Sequence, residues 1–511
     1  MIKNIKWLFL VSLTFIACND DEIVTYDTAD GLPLTAGNAD FSKYVALGDS
    51  YAAGFSDGAL FVEGQKGAYP NILAQQFALV GGGIFTTPLM ADNTGGFIGG
   101  NPSFGPRTYV SGFTASGTPI ILPALGTPST NPTTILTGPF NNMGVPGAKS
   151  FHLDFVGYGS SAGNPYFARF ASTPSATVVT DALAQNPTFF SLWIGGNDVL
   201  GYALSGGDGT NPITPTATFN GAYNSIISKM TAGGRKGVIA NLPYVNSLPH
   251  FTTVPANPVP LTDATQVAQL NGLFGAMNAS LVGHGQAARF QTLQISVFDA
   301  TKSTYSKTNP LLIVDESLTY DPTSDFITLF TGAPFNYPVT TAGFLANLYK
   351  NTRHANATGS NKDYIVLTAS GTIGATQPGY PATNSTIGVT YPMPDSSSVT
   401  YSEVAELKTA TDAYNGIIQV AATANDLAFM DAKAVMDELS TTGITANNYT
   451  INSSFVSGGA FSLDGFNPTP RGYALFANKF IEAINLKYGS NLKGVNLGDY
   501  RILFPKDSAN F

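Results

Sequence analysis

Apolar and polar residues alternate along this chain in two ways, one typical of strands and one typical of helices. Four short apolar runs have the length and composition of strands, at residues 44–47, 188–194, 237–243 and 427–430. Segments with helical patterns lie at residues 69–79, 222–230, 402–423 and 433–439, and a final amphipathic helix carries Leu475, Phe476, Phe480, Ile481 and Ile484. Strands that alternate with helices predict an α/β fold with a doubly wound parallel sheet.

This alternation fades between residues 251 and 400, where Thr, Ser, Gly and Pro become frequent. Residues 266–281 have helical spacing and residues 309–315 resemble a strand, but no internal repeat is evident. We expect this region to cover the active-site face and to shape substrate access. The predicted organisation is a core of residues 41–250 and 401–490, an insertion or cap of residues 251–400, and a C-terminal tail of residues 491–511.

The first 18 residues have the pattern of an export signal. Lys3 and Lys6 precede an apolar stretch that is too short to span a bilayer and that ends at Cys18. A small residue followed by cysteine resembles a bacterial lipobox, and the acidic run after Cys18 resembles a surface-export signal of Bacteroidetes-type lipoproteins. We therefore expect an outer-membrane lipoprotein at the cell surface, anchored through Cys18, with residues 19–40 as a polar tether. The alternative is an ordinary cleaved signal peptide.

Composition narrows the classes of partner. Apolar residues make up 43% of the chain, and charged residues only 11%, against about a quarter in an average protein. The net charge of −9, without any cluster of Lys or Arg, argues against nucleic acid or anionic lipid as a partner. A single cysteine allows no internal disulfide bond.

Neither a cofactor nor a metal is expected. The glycine-rich stretches at residues 81–83 and 99–105 lack the Gly-Lys-Ser/Thr ending of a phosphate-binding loop and are interpreted as turns. The acidic residues of the middle region could hold calcium, but their spacing matches no calcium-binding loop and they are interpreted as solvated surface. These residues are Asp315, Glu316, Asp321 and Asp325.

Ser50 is the first candidate for chemistry. It follows the run at residues 44–47 and the turn residues Gly48 and Asp49, and an Ala-rich segment that can start a helix follows it. Its hydroxyl would therefore lie at the N-terminus of a helix, where backbone N–H groups favour a developing negative charge. The alternative is that Asp49 and Ser50 merely cap the helix.

Two further residues are expected at the same edge of the sheet. Asn197 follows the run at residues 188–194, and its amide could stabilise an oxyanion, or it could belong to a turn that caps the next helix. Gly147 stands at a sharp turn where its N–H could approach a ligand. Ligands of doubly wound sheets bind at the C-terminal ends of the strands, which is where Ser50, Gly147 and Asn197 are predicted to lie.

Taken together, these blocks resemble the SGNH (GDSL) family of esterases and lipases. Gly48-Asp-Ser50 is similar to the nucleophile block, Gly147 to the glycine block, and Gly195-Gly-Asn-Asp198 to the asparagine block. Asp464-Gly-Phe-Asn-Pro468 resembles the closing Asp-x-x-His block except for the histidine. The resemblance covers residues 41–242 and 402–485, includes phrases similar to lipoprotein members from Bacteroidetes-type bacteria, and implies a flavodoxin-like three-layer sandwich.

The resemblance also implies roles. Ser50 would attack an ester carbonyl, and the N–H groups of Ser50 and Gly147 with the Asn197 side chain would hold the oxyanion. Asp464 stands where the family has an aspartate, but Asn467 stands where the family has its catalytic histidine, and an amide cannot act as a general base. His152 or His250 could replace that histidine, or Asp464 could act through water, although a carboxyl with a pKa near 4 is poorly suited to this.

Three classes of function therefore remain open. The first is a serine esterase or lipase that acts on acyl or acetyl esters of lipids or glycans. The second is a non-catalytic module that keeps the cleft for a lipid or carbohydrate ligand. The third is a structural surface protein, for which the Thr-, Asn- and Gly-rich composition is the main argument. The oligomeric state is not indicated by the sequence.

Overall fold

The centre of the molecule is a five-stranded parallel β-sheet. The computed structural model describes residues 31, 33–114 and 118–507. The strands are β1 (Tyr44–Gly48), β2 (Asn142–Gly144), β3 (Phe189–Trp193), β4 (Lys236–Ala240) and β5 (Ala428–Met430), in the spatial order β2-β1-β3-β4-β5. With helices packed around the sheet, this arrangement confirms the predicted α/β fold. The order reverses after β2, so the topological switch point lies between β1 and β3.

The core forms because the central strands are apolar on both faces. Every residue of β1 and β3 is buried. Tyr69 stacks on Phe480 with ring centres 4.8 Å apart, joining helices Tyr69–Ala78 and Pro470–Tyr488, and Phe219 stacks on Tyr414 at 4.0 Å. The helices of the core are Ser50–Ala53, Val62–Lys66, Tyr69–Ala78, Pro165–Ala168, Val178–Ala184, Asn197–Leu204, Thr216–Thr231, Tyr401–Ala424, Ala432–Thr441 and Pro470–Tyr488.

Strand β2 was not predicted, because it has only three residues and is not an apolar run. Asn142 holds it in place by donating from Nδ2 to the carbonyl of Ala52 over 2.9 Å. At Gly144 the strand approaches the next helix so closely that a β-carbon would lie 2.3 Å from the nitrogen of Ala53. The pairing of β2 with β1 therefore depends on an amide and a glycine rather than on apolar side chains.

The region between residues 251 and 400 contributes no strand to the central sheet within the described part of the chain. It contains helices Ala264–Gly283, Thr323–Thr331 and Val339–Tyr349. Its two-stranded antiparallel ribbons are Leu312–Val314 with Thr352–His354, Tyr364–Ile365 with Ser398–Val399, and Phe298–Asp299 with Thr304–Tyr305. Two further described ribbons lie outside this region: Thr108–Phe113 with Pro119–Pro123, and Ile444–Ala446 with Tyr449–Ile451.

For Asp315 the interpretation as solvated surface is wrong. This residue is buried, and its carboxylate accepts from Nε of Arg353 over 2.5 Å. Asp363 binds the other side of the same guanidinium at 2.6 and 2.8 Å. The carboxylate is buried because its charge is matched inside the protein by Arg353.

The predicted export signal at residues 1–18 lies outside the described residues, as does most of the predicted tether. Among the residues that the structure describes, no helix is both long enough and apolar enough to cross a lipid bilayer.

Candidate functional site

Ser50 is the first residue of the helix Ser50–Ala53, directly after β1. Asp49 caps this helix, since its Oδ1 accepts from the N–H of Tyr51 over 3.0 Å. The capping interpretation is therefore correct for Asp49, while the described hydrogen bonds include none that involves Ser50 Oγ. The hydroxyl lines a cleft and is free to contact a ligand.

The loop after β2 carries Gly147. This loop is joined to β1 by a hydrogen bond of 3.0 Å from the N–H of Val145 to the carbonyl of Gly48. Gly147 has a φ of +77°, and a β-carbon there would meet nothing within 4 Å. Glycine is thus required by the backbone conformation rather than by lack of space. The N–H of Gly147 has no protein acceptor among the described residues.

Asn197 and Asp198, at the start of the helix Asn197–Leu204, bind this loop from the other side. Asn197 donates from Nδ2 to the carbonyl of Ala148 over 3.0 Å, which leaves the second hydrogen of its amide available. The buried Asp198 carboxylate accepts from the N–H and Oγ of Ser150 at 2.7 and 2.9 Å. The structure therefore brings the three predicted blocks together, and burial raises the pKa of Asp198.

The cleft at this edge of the sheet has a volume of about 40 Å³. Ser50 and Asn197 line it, whereas Gly147 does not. Asp49 and Gly196 also line it. The remaining lining residues are apolar or aromatic: Tyr51, Trp193, Leu200, Leu242, Pro243, Val245, Leu248 and Phe466. An apolar wall with a few polar groups at one end is the usual form of a small-molecule site.

The loop with Asp464 and Asn467 packs beside the Ser50 helix. The hydroxyl of Tyr51 donates to the carbonyl of Phe466 over 2.6 Å, and Gly58 N–H donates to Asp464 Oδ2 over 3.1 Å. These bonds place residues 464–468 against the Ser50 helix, although Tyr51 and Phe466 are 415 positions apart in the chain.

Asp464 binds both the backbone and the side chain of Asn467. Its Oδ1 accepts from the N–H of Asn467 over 2.8 Å, and its Oδ2 accepts from Nδ2 of Asn467 over 3.0 Å. Because a carboxylate only accepts, the amide nitrogen must face Asp464. The side-chain oxygen of Asn467 then points away from Asp464. This oxygen is buried and has no hydrogen-bond partner in the described part of the chain. It can accept a hydrogen bond but cannot take a proton.

Of the two histidines considered as replacements, His250 lies nearer to the closing block. Its Nδ1 is 2.9 Å from the carbonyl of Asp464, so Nδ1 carries the hydrogen and Nε2 the lone pair. Its ring packs on Phe466, with ring centres 5.5 Å apart. Burial lowers the pKa of His250, while the Asp464 carbonyl and charge act in the opposite direction.

His152 is placed differently. Its Nδ1 accepts from the N–H of Lys149 over 3.0 Å, and its ring stacks on Tyr158 at 4.7 Å. Burial lowers its pKa, with a further decrease from Lys149. Neither His152 nor His250 forms a hydrogen bond with Ser50 Oγ among the described contacts.

Asp49 is a functional candidate that the sequence analysis treated only as a cap. Asp49 is 7% exposed and lines the cleft. Its Oδ2 lies 3.7 Å from the point where a β-carbon would stand if Gly196 had one. Burial raises its pKa to about 7, the Tyr51 N–H lowers it, and the charge of Asp198 raises it further. Its position directly before Ser50 is the feature of the sequence that could have indicated a functional role for Asp49.

Comparisons with protein-family profiles, with curated proteins and with solved structures find no match for this chain. Chemically, the site combines an unpartnered hydroxyl, N–H donors from a helix start and a glycine turn, a side-chain amide and an apolar wall. No group of three or more His, Cys, Asp or Glu residues that could hold a metal ion occurs among the described residues.

Proposed function

We propose that this protein is a serine ester hydrolase of the SGNH type that acts on acyl esters, with Ser50 as the nucleophile. The observation that carries the proposal is the free Ser50 hydroxyl, at a helix N-terminus, in an apolar cleft that it shares with Asn197. The resemblance of the sequence blocks to that family supports the same conclusion.

In the proposed reaction, Ser50 Oγ forms a bond to the ester carbonyl carbon and the carbonyl oxygen becomes an oxyanion. The N–H groups of Ser50 and Gly147 and the remaining N–H of Asn197 are the donors for that charge, a role worth about 10²–10³-fold per donor in related chemistry. Collapse of the intermediate breaks the bond to the alcohol, which leaves with a proton. Water then releases the acid from Ser50.

The proton of Ser50 needs an acceptor, and Asn467 cannot supply one. We propose His250 for this role because its Nδ1 is fixed by the Asp464 carbonyl and its Nε2 carries a lone pair. Its ring packs against Phe466, which lines the cleft that holds Ser50. Catalytic hydrogen bonds often tighten only in the complex with substrate.

The cleft favours an acyl chain over an acetyl group. Eight of its lining residues are apolar or aromatic, so an acyl chain would contact more of the wall than an acetyl group would. The alcohol part of the substrate, whether lipid or glycan, would lie towards the open mouth. We therefore propose butyrate and longer acyl esters as better substrates than acetate esters.

A second candidate is a module that binds an acyl ligand without turnover. It is favoured by Asn467, which occupies the position of the family's histidine, is held by Asp464, and cannot accept a proton. The apolar cleft would be retained in such a protein, since ligand binding needs the wall and the donors but no base.

Hydrolysis of p-nitrophenyl acetate and butyrate by the chain from Asn19 onwards tests the proposal. We expect measurable butyrate hydrolysis that Ser50→Ala abolishes and that a matched control, Ser205→Ala at the end of the helix Asn197–Leu204, leaves unchanged. Activity that survives Ser50→Ala would reject the proposal. Saturable binding of a fatty acid without hydrolysis would favour the second candidate.

We also propose that the protein is an exported outer-membrane lipoprotein anchored through Cys18. The support is the resemblance of residues 1–18 to a lipobox signal. Metabolic labelling with an alkyne fatty acid should mark the protein in the membrane fraction, and Cys18→Ala should remove the label. Equal labelling of the natural protein and of the Cys18→Ala variant would contradict lipid attachment at Cys18.

A further inference from the structure

Arg169 is a buried cation that has no carboxylate partner among the described residues. It follows the helix Pro165–Ala168 and is 3% exposed. Its Nη2 donates to the carbonyl of Leu89 over 2.9 Å, and its Nη1 lies 3.1 Å from Sδ of Met90. Its Nε is buried and has no hydrogen-bond partner in the described part of the chain.

Arg353 shows how the same fold treats another buried arginine. Its guanidinium is paired with Asp315 and Asp363 over distances of 2.5–2.8 Å. A buried charge is strongly unfavourable unless it is paired and hydrogen-bonded. Arg169 has no such pair, and burial lowers its pKa with only Tyr166 acting in the opposite direction. No carboxylate from the described residues therefore balances its charge.

Arg169 lines a small cavity of about 10 Å³ between β2 and the helix Val62–Lys66. Gln65 and Asn142, which also line it, each use one amide hydrogen for a backbone carbonyl, to Pro88 and Ala52, and retain a second. None of its lining residues is acidic: Ala53, Leu60, Gln65, Thr87, Pro88, Asn142, Gly144, Tyr166, Arg169 and Phe170.

We propose that this cavity is a binding site for a small monovalent anion of the size of chloride, held by the Arg169 guanidinium. A cavity with a cation, spare amide hydrogens and no acidic wall is complementary to an anion and not to a metal ion. Its small size favours a halide over a phosphate or sulfate group. The anion would supply to Arg169 the negative charge that Asp315 and Asp363 supply to Arg353.

The site would support the region that carries Ser50. Ala53, the last residue of the Ser50 helix, lines the cavity, and Asn142 donates to the carbonyl of Ala52 from the same wall. Anion binding is therefore expected to stabilise the folded protein, whether or not the protein is an esterase. The inference does not depend on the proposed function.

Thermal unfolding in sodium chloride and in sodium gluconate, at equal ionic strength, tests the proposal. Gluconate is too large for the cavity, so we expect chloride alone to raise Tm saturably, by about 1–3 °C. Arg169→Met should lose this response. The matched control is Arg235→Met, because Arg235 donates to the backbone carbonyls of Lys229 and Met230 and lines none of the cavity.

The proposal is overturned if the natural protein shows no chloride-specific rise, or if Arg169→Met keeps it in full. Should Arg169→Met fail to fold, crystals of the natural protein soaked in sodium bromide decide the question. An anomalous peak in contact with the Arg169 guanidinium supports the site. Bromide found only at the protein surface overturns it.

Discussion

The amide nitrogen of Asn467 donates to the carboxylate of Asp464 over 3.0 Å, and the amide oxygen of Asn467 is left buried without a partner. Asp464 thus orients the side chain three residues later, as an aspartate orients a histidine in a catalytic triad. The free amide oxygen of Asn467 can accept a hydrogen bond, but an amide cannot take up a proton near neutral pH.

Replacing Asn467 with histidine should therefore increase ester hydrolysis. Asp464 already holds the position, and a placed general base is worth about 10²–10⁴-fold. In a His250→Gln background, which lacks the proposed base His250, we expect a rise of at least about 10²-fold in kcat for p-nitrophenyl butyrate. Asn467→Gln, which adds length without a titratable group, is the control. A folded histidine variant with unchanged activity would show that this position does not face Ser50.

Removing the proposed base should have the opposite effect. We expect His250→Gln to lower kcat by about 10²–10⁴-fold, and His152→Gln, whose ring is occupied by Lys149 and Tyr158, to change it little. Activity in the natural protein should fall as pH decreases through the pKa of His250, which burial places below its usual value. Equal losses in the two variants would argue against a specific role for His250.

Gly147→Ala should destabilise the protein even though the new methyl group has space. A φ of +77° costs an L-residue about 1–2 kcal/mol. Gly272→Ala is the matched control: Gly272 also has nothing within 4 Å of a β-carbon, but it lies inside the helix Ala264–Gly283. We expect that control to be stabilised by about 0.5–1 kcal/mol. Urea unfolding measures the free energy of each variant, and a stabilised Gly147→Ala would contradict the argument.

Asp49→Asn should change how stability depends on pH. Burial raises the folded pKa of Asp49 to about 7, so its favourable contribution is complete below the unfolded pKa near 4 and is lost as pH rises through 7. Asparagine retains the cap on Tyr51 and carries no charge. Relative to the natural protein, we expect the variant to gain about 2 kcal/mol between pH 5 and pH 8.

Urea unfolding of both chains at those two pH values measures this gain. Asp208→Asn is the control, because Asp208 is an exposed carboxyl whose pKa is lowered by Thr210. A difference between the natural protein and Asp49→Asn that does not vary with pH would show that Asp49 is charged in the folded state throughout this range.

The sequence by itself determined the main strands and helices of the core. Strands β1, β3, β4 and β5 and the helix Pro470–Tyr488 follow from apolar runs and an amphipathic stripe, which are properties of neighbouring residues. It also indicated Ser50, Gly147 and Asn197 as residues at the ends of strands. Local periodicity is sufficient for these predictions because it reports burial directly.

Only the tertiary structure decided which distant groups meet. The contact of Tyr51 with the carbonyl of Phe466, the position of His250 against Asp464, and the buried charge of Arg169 join segments that lie far apart in the chain. Strand β2 belongs to the same class, since its three residues are held by Asn142 and the close approach at Gly144. Such contacts depend on how the whole core packs, and no local pattern of apolar and polar residues encodes them.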